Sequence, residues 1–397
     1  MKITKIIIRK LIGTINFDGQ FWEERLVRPI DIYPEYEMEQ DETKKKKKGK
    51  FSTESIFIEI YTDNDLSGIA GPIDEQQAFI IEKNLSGIIL GKDPLAIELL
   101  WDQMHRLSVH GRQGITMQAI SAIDCALWDI KGKYFNTPIY NLIGGPTRNL
   151  IPAYASMLGF NVTDMSLVAE RALMYKEKGF DAQKWFFRYG PMSGKEGLKK
   201  NIELVETLRN TLGEDYDIML DCWQSMDYKY VLDLARNIEP FRPFWLEEVV
   251  MPDRIDIYKK IKEKINIPLS GAEHEYTRWG MFRFIEKKAL DILQPDIYWA
   301  GGLSEVMKIA SLASTYDLII IPHGHSSNAT LHFSLSQIPI HTPYQEFLIK
   351  WNIVHQHFLK YPEIPVQGKF RIPTRIGLSM ELDQEKVEKE DKVVINN

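Results

Sequence analysis

Six ionisable residues, Lys184, Asp221, Glu247, Glu273, Asp296 and His323, each sit in or close a short apolar run. The runs cover residues 183–187, 218–221, 244–248, 267–273, 292–296 and 319–323. Runs this short and this apolar suit strands buried on both faces. Between them, residues 198–212, 231–238 and 305–313 carry helical periodicity. Alternating strand and helix makes parallel strands with right-handed crossovers the natural topology. In a parallel barrel the strand ends converge on one mouth, so the six residues are expected to meet there.

The rest of the barrel follows from weaker patterns. Residues 151–155 are the expected first strand and 346–348 a short last one, giving a seven- or eight-stranded α/β barrel over 150–351. Upstream, residues 3–10 and 55–62 alternate like antiparallel strands, and 76–89 and 117–133 read as helices. The expected organisation is an α+β domain over 1–135, the barrel over 136–360, and a C-terminal segment, 361–397, packing back on the first domain.

Composition narrows the function classes. A hydrophobic share of 44% supports sizeable cores, and no apolar run approaches the roughly 20 residues that span a bilayer. The basic start of the chain lacks a sustained apolar core and a small-residue cleavage site, so it is expected to be a strand. Two cysteines, Cys125 and Cys222, cannot form a disulfide framework or a cysteine zinc site, which points to the cytoplasm. A net charge of −6 and a pI near 5.9 argue against a nucleic-acid partner. The lysine run 44–48 reads as a solvated loop tip or as an electrostatic collar for an anionic substrate. In the second case residues 16–51 form a lid over the mouth.

The chemistry follows from donor type. Asp221, Glu247 and Glu273 are hard oxygen donors at intervals of 26 and 26 residues, which suits Mg2+ better than zinc. Asp296 and the histidines of Pro322-His323-Gly324-His325 supply a carboxylate and an imidazole on the next two strands; spacing alone leaves open which histidine is catalytic.

With those residues in place, the chain resembles the enolase superfamily in its mandelate-racemase-like subgroup, across nearly its whole length. The matching stretches are Leu220-Asp221-Cys222-Trp223, Trp245-Leu246-Glu247-Glu248, Gly271-Ala272-Glu273-His274-Glu275-Tyr276-Thr277-Arg278-Trp279-Gly280, Gln294-Pro295-Asp296, Ala300-Gly301-Gly302 and Pro322-His323-Gly324. The resemblance implies a modified TIM barrel, (β/α)7β, with an N-terminal α+β capping domain completed by the C-terminal segment. It assigns Glu247 and Glu273 as the ligands of their pairs and His323 as the partner of Asp296; such sites use a Lys or His base with Mg2+ stabilising an enediolate. The stretch around Glu273 is most similar to rhamnonate dehydratases and related, xylonate-type sugar-acid dehydratases. A homo-oligomer, with an octamer among the options, is implied in the same way.

One departure bears on the reaction. Many members of the subgroup carry Lys-x-Lys where this chain has Lys184-Trp185-Phe186. Phe186 cannot accept a proton, so Lys184 is expected to bind the substrate carboxylate or to bridge a neighbouring acid. A single base on the His323 side suits dehydration of an aldonic acid to a 2-keto-3-deoxy acid. A racemase, epimerase or lactonising enzyme on the same scaffold, or a sugar-acid sensor without chemistry, are the alternatives. Trp22, Arg25, Arg28, Arg112, His274 and His325 are the expected substrate contacts, with Phe21, His110 and Gln113 near the same mouth. Phe21 and the lysine run differ from the polar lids of rhamnonate dehydratases, which argues against rhamnonate itself.

Overall fold

Ile3, Ile6, Ile8, Leu11 and Ile15 are buried along β1 (Ile3–Gln20), the central strand of the first sheet in the computed structural model, which describes residues 1–37 and 48–397. Its neighbours are β2 (Lys48–Thr62), antiparallel from Ile3↔Thr62 to Gln20↔Lys48, and then β3 (Ser67–Ile73). Both expected strands are therefore longer than their alternation suggested. Residues 16–20 and 48–51 belong to the hairpin and not to a lid loop, because the antiparallel ladder continues through Asn16↔Lys50. Of the lysine run only Lys48 falls within the described residues.

Helix α1 (Ile97–Leu107) packs against the long α2 (Ile115–Tyr134), which covers this sheet. Gly68 on β3 lets α2 approach closely: a Cβ there would lie 2.0 Å from the Ala126 carbonyl oxygen. The expected helix over 76–89 is helical throughout, with a wider π-helical turn across Ile81–Leu85.

The second sheet is parallel. Strands β4 (Leu150–Ser156), β5 (Ala182–Phe186), β6 (Asp217–Asp221), β7 (Trp245–Glu247), β8 (Leu269–Gly271), β9 (Ile292–Leu293), β10 (Ile319–Ile320) and β11 (Gln345–Leu348) pair in the order β10-β9-β8-β7-β6-β5-β4-β11. Intervening helices α3 (Met165–Glu177), α4 (Gly194–Leu212), α5 (Tyr228–Ile238), α6 (Ile255–Lys262), α7 (Thr277–Glu286), α8 (Gly302–Ser314) and α9 (Ser327–Ser336) wrap it, and α10 (Ile349–His355) follows β11. Strands β9 and β10 stop short of the expected 296 and 323. Pro295 and Pro322 have no N–H to continue a ladder, so Asp296 and His323 stand on the loops just beyond.

The C-terminal segment serves both sheets. β12 (Lys369–Arg371) runs antiparallel to β4, burying Phe370, before β13 (Lys389–Asn396) pairs with β1 from Ile12↔Lys389 to Lys5↔Asn396. Its expected packing on the first domain is thus accompanied by a contact with the barrel. Among the described residues no helix is long and apolar enough to cross a membrane.

Candidate active site

The barrel interior is built in layers two residues apart. Tyr154, Ala182, Met219, Trp245, Ile292 and Ile321 form one buried apolar cluster, with Tyr344 packed against it. Side chains on a strand return to the same face every second residue, so the next inward positions are Lys184, Asp221, Glu247 and Glu346, with His323 beyond Ile321. An apolar floor therefore carries a polar layer.

Lys184 is the hub of that layer. Its Nζ lies 2.5 Å from Glu247 Oε1, 2.9 Å from Glu346 Oε1 and 3.2 Å from Asp221 Oδ2, with both partners of each pair buried. Burial alone would lower the ammonium's pKa, but Glu247, Glu346, Tyr154 and Asp221 raise it well above the ordinary value. Lys184 thus bridges acids and stays charged. Glu346, given no role from the sequence, belongs to the site; it also accepts from Gly324 N at 2.9 Å. Two-residue periodicity from Tyr344 was the signal that could have found it.

Beside this hub stands the dyad. His323 Nδ1 is 2.7 Å from Asp296 Oδ2, and Asp296 Oδ1 accepts from Tyr298 N at 2.7 Å. With both oxygens engaged, Asp296 fixes the imidazole and directs Nε2 away from itself, 3.8 Å from Glu273 Oε2. Burial lowers the His323 pKa, yet Glu273, the Asp296 bond and Glu346 raise it to about 10. Glu273 leads that rise, so a cation neutralising Glu273 returns the imidazole toward its ordinary range.

The acids themselves are strained by proximity. Burial pushes Asp221 up to about 6, Glu247 to about 8 and Glu273 to about 7, with neighbouring carboxylates adding to the rise and Lys184, for Asp221 and Glu247, or His323, for Glu273, holding it back. Glu273 Oε2 is buried without a hydrogen-bond partner. Hard carboxylate donors with too little positive charge fit a divalent cation. Of the expected three acids, Asp221 and Glu247 are engaged by Lys184, and among the described residues the group of converging ligand atoms takes in Glu273 alone. Glu247 faces down, its Oε2 accepting from Trp245 Nε1 at 2.9 Å, whereas Glu248, Glu273 and His274 offer ligand atoms within 4.8 Å of one another. Trp245 and Glu247 share a strand face, which is the reason. Trp223, Gln224, Glu248 and Ala272 all adopt positive φ (42°, 64°, 43° and 73°), so the turns after β6, β7 and β8 hold strained backbone around these acids.

A cavity of about 220 Å³ opens above the layer. Of the expected substrate contacts, Trp22, Arg25, Arg28, His274 and His325 line it, together with Phe186 and Trp223, and with Trp299 and Trp351, which the sequence did not single out. Arg25 is largely spent on its own loop, donating to Asp31 Oδ2 at 2.5 Å and to the Tyr36 and Glu37 carbonyls at 3.1 and 2.7 Å. Arg112 and Gln113 lie elsewhere, lining a separate cavity with His105 and Trp279, because the segment after α1 packs beside α7. His110 lines neither cavity. Phe21 is buried against Phe17 and Phe51, each ring centroid 5.0 Å away, instead of facing the mouth.

A capped parallel barrel with ionisable residues at successive strand ends defines the class, and comparison with known families agrees. Residues 49–144 match the mandelate racemase / muconate lactonizing enzyme N-terminal domain and residues 167–387 the enolase C-terminal domain-like family, so the chain belongs to the enolase superfamily. Within it, the chain is 31% identical over 373 residues to L-rhamnonate dehydratase of Saccharopolyspora erythraea, spanning 91% of this chain and 90% of that one. The structure of rhamnonate dehydratase from Gibberella zeae complexed with Mg superposes with a TM-score of 0.83 at 28% identity, covering 97% and 96% of the two chains. The 3,6-anhydro-D-galactonate cycloisomerase from Zobellia galactanivorans superposes with a TM-score of 0.77 at 29% identity, covering 98% and 100%.

Proposed function

We propose that the protein is a hydro-lyase that dehydrates an aldonic acid to a 2-keto-3-deoxy acid. The observation that carries this reading is the His323–Asp296 pair on one side of a mouth to which Phe186, without proton chemistry, also contributes. Sugar-acid dehydration by the relatives supports it.

Asp221 and Glu273, with Glu247 or Glu248, are the residues that would hold the cation, and all-oxygen donors favour Mg2+. When bound, it supplies positive charge beside the substrate carboxylate. His323 takes the α-proton on Nε2, and the C–H electron pair moves toward the carboxylate to give an enediolate. Asp296 holds the resulting imidazolium in place. As the C–O bond to the β-hydroxyl breaks, His323 returns its proton to the departing oxygen, releasing water and an enol that tautomerises to the keto acid. Lys184 is held by three carboxylates and contributes charge instead of a second base.

The test is incubation with Mg2+ and a panel of aldonates, with detection of 2-keto-3-deoxy products. Epimer formation at C2 without loss of water would overturn the reading in favour of an epimerase or racemase.

A further inference from the structure

Lys350 and Glu23 lie outside the chemistry just described, yet each adjoins a tryptophan of the mouth, Trp351 and Trp22. The Lys350 side chain is fully buried and its Nζ donates to Gly159 O at 2.8 Å and Glu23 Oε1 at 3.3 Å, above the Phe160 ring. Glu23 is also tied to the same loop through its backbone N–H to Gly159 O at 2.8 Å and its Oε2 from Asn161 N at 3.0 Å. The strand exit carrying Trp22, the loop after β4 and α10 therefore meet on this pair, with Arg171 of α3 a more distant second cation, its Nε 3.8 Å from Glu23 Oε1.

The packing makes this junction exacting for Trp22. Gly159 has φ +80°, and a Cβ there would come within 2.6 Å of the Trp22 ring. Leu158 on the loop after β4 and Leu348, the last residue of β11 just before α10, line the mouth with Trp22 and Trp351. A buried ion pair contributes little net stability, so the consequence to look for here is the arrangement of the groups that flank it. Burial, with a smaller push from Arg171, draws Lys350 down to about 8 against the pull of Glu23.

We infer that Glu23 and Lys350 form a positioning pair that fixes the Trp22 wall of the mouth and thereby sets which length of substrate chain is accepted. This rests on reading the mouth as the sugar-acid site. Neither side chain touches the reacting atoms; the pair acts through Trp22 and Trp351.

The experiment uses the full-length, Mg2+-loaded protein with Lys350→Met, Lys350→Arg and Glu23→Gln variants. Backbone hydrogen exchange over residues 21–28 is read against the barrel strands, and kinetics are read on five- and six-carbon aldonates. In Lys350→Met, exchange at 21–28 should quicken while the strands are unchanged. KM should rise about tenfold with kcat within about twofold, and the preference between chain lengths should narrow. Lys350→Arg should recover most of both effects. Should Lys350→Met not fold, Glu23→Gln, which keeps the lysine and its Gly159 bond, reads the same segment. Unchanged exchange at 21–28 in both variants, or equal falls in kcat and kcat/KM, would overturn the inference. The exchange measurement needs no substrate, so altered exchange in a protein that dehydrates no aldonate leaves the pair standing and removes the sugar-acid reading.

Discussion

Asp129 on α2 and Glu273 beyond β8 are both buried carboxylates, but different groups answer them. Asp129 accepts from Ile69 N at 3.0 Å and Leu378 N at 2.7 Å, with Lys133 Nζ 2.6 Å away. Gly377 leaves it room, since a Cβ there would stand 2.1 Å from its Oδ1. Glu273 faces other acids and two histidines, and one of its oxygens has no hydrogen-bond partner. A carboxylate met by backbone N–H groups is satisfied once the chain folds. One crowded among carboxylates, with imidazoles 3.5 and 3.8 Å away as its nearest partners, keeps an oxygen open to a cation. The contrast separates acids that build the molecule from acids that equip it.

Mutation of each group tests that division. The largest effect is expected for His323→Asn: dehydration should fall at least about 10³-fold while fold and Mg2+ binding persist, as rates and calorimetry would read. Near-normal turnover in that variant would move the chemistry to another base such as His325. Next comes Lys184→Met, which leaves three buried acids without their ammonium and should cost about 3–5 kcal/mol in denaturant unfolding without metal. A loss well below this would mean that the acids have protonated instead.

Metal addition should act on one group alone. Mg2+ at a hundred times its Kd should stabilise the wild type by about 2.7 kcal/mol in thermal unfolding, and Glu273→Gln should abolish the gain. Chelation should stop turnover and Mg2+ restore it. Asp129→Asn, by contrast, should cost about 1–3 kcal/mol and leave the Mg2+ response as it was. A weakened response there would erase the distinction between the two groups.

The smallest effect sharpens the middle case. Asp124 on α2 is wholly buried, receives Ser304 N at 3.1 Å, and is pushed by burial from 3.8 up to about 7. Between those values the folded chain holds a proton that the unfolded chain has released, so stability falls as pH rises from about 4 to about 7 and is level above. Asp124→Asn should remove that slope and be more stable at pH 8, by on the order of 1 kcal/mol. A pH profile identical to the wild type would show that the carboxyl ionises freely.

The barrel was legible because its strands are buried on both faces, so six of them read as short, mainly apolar runs that contain or close on an ionisable residue. The placement of Asp221, Glu273, Asp296 and His323 at the mouth followed from that pattern. Glu346 escaped because its run is short and flanked by polar residues, although Tyr344 beneath it carries the same two-residue rhythm. Arg112 could not be placed from its surroundings: it follows a helix in an irregular segment, and which cavity such a segment faces depends on packing against α7, far along the chain. Lys350 was invisible for the same reason. Its partner lies 327 positions away, and nothing local marks a lysine that will be buried.

The pairing of β13 with β1 also has a consequence in time. β1 ends at Gln20 and β13 begins at Lys389, so on a ribosome adding about 5–20 residues per second the first strand waits roughly 20–75 s for its neighbour. During that interval the edge bearing Ile6, Ile7 and Ile8 offers unpaired N–H and C=O groups to any passing strand. Newly made chains of this protein are therefore most exposed to misassociation late in translation, when the barrel segments have already emerged and the sheet that caps them still lacks its border.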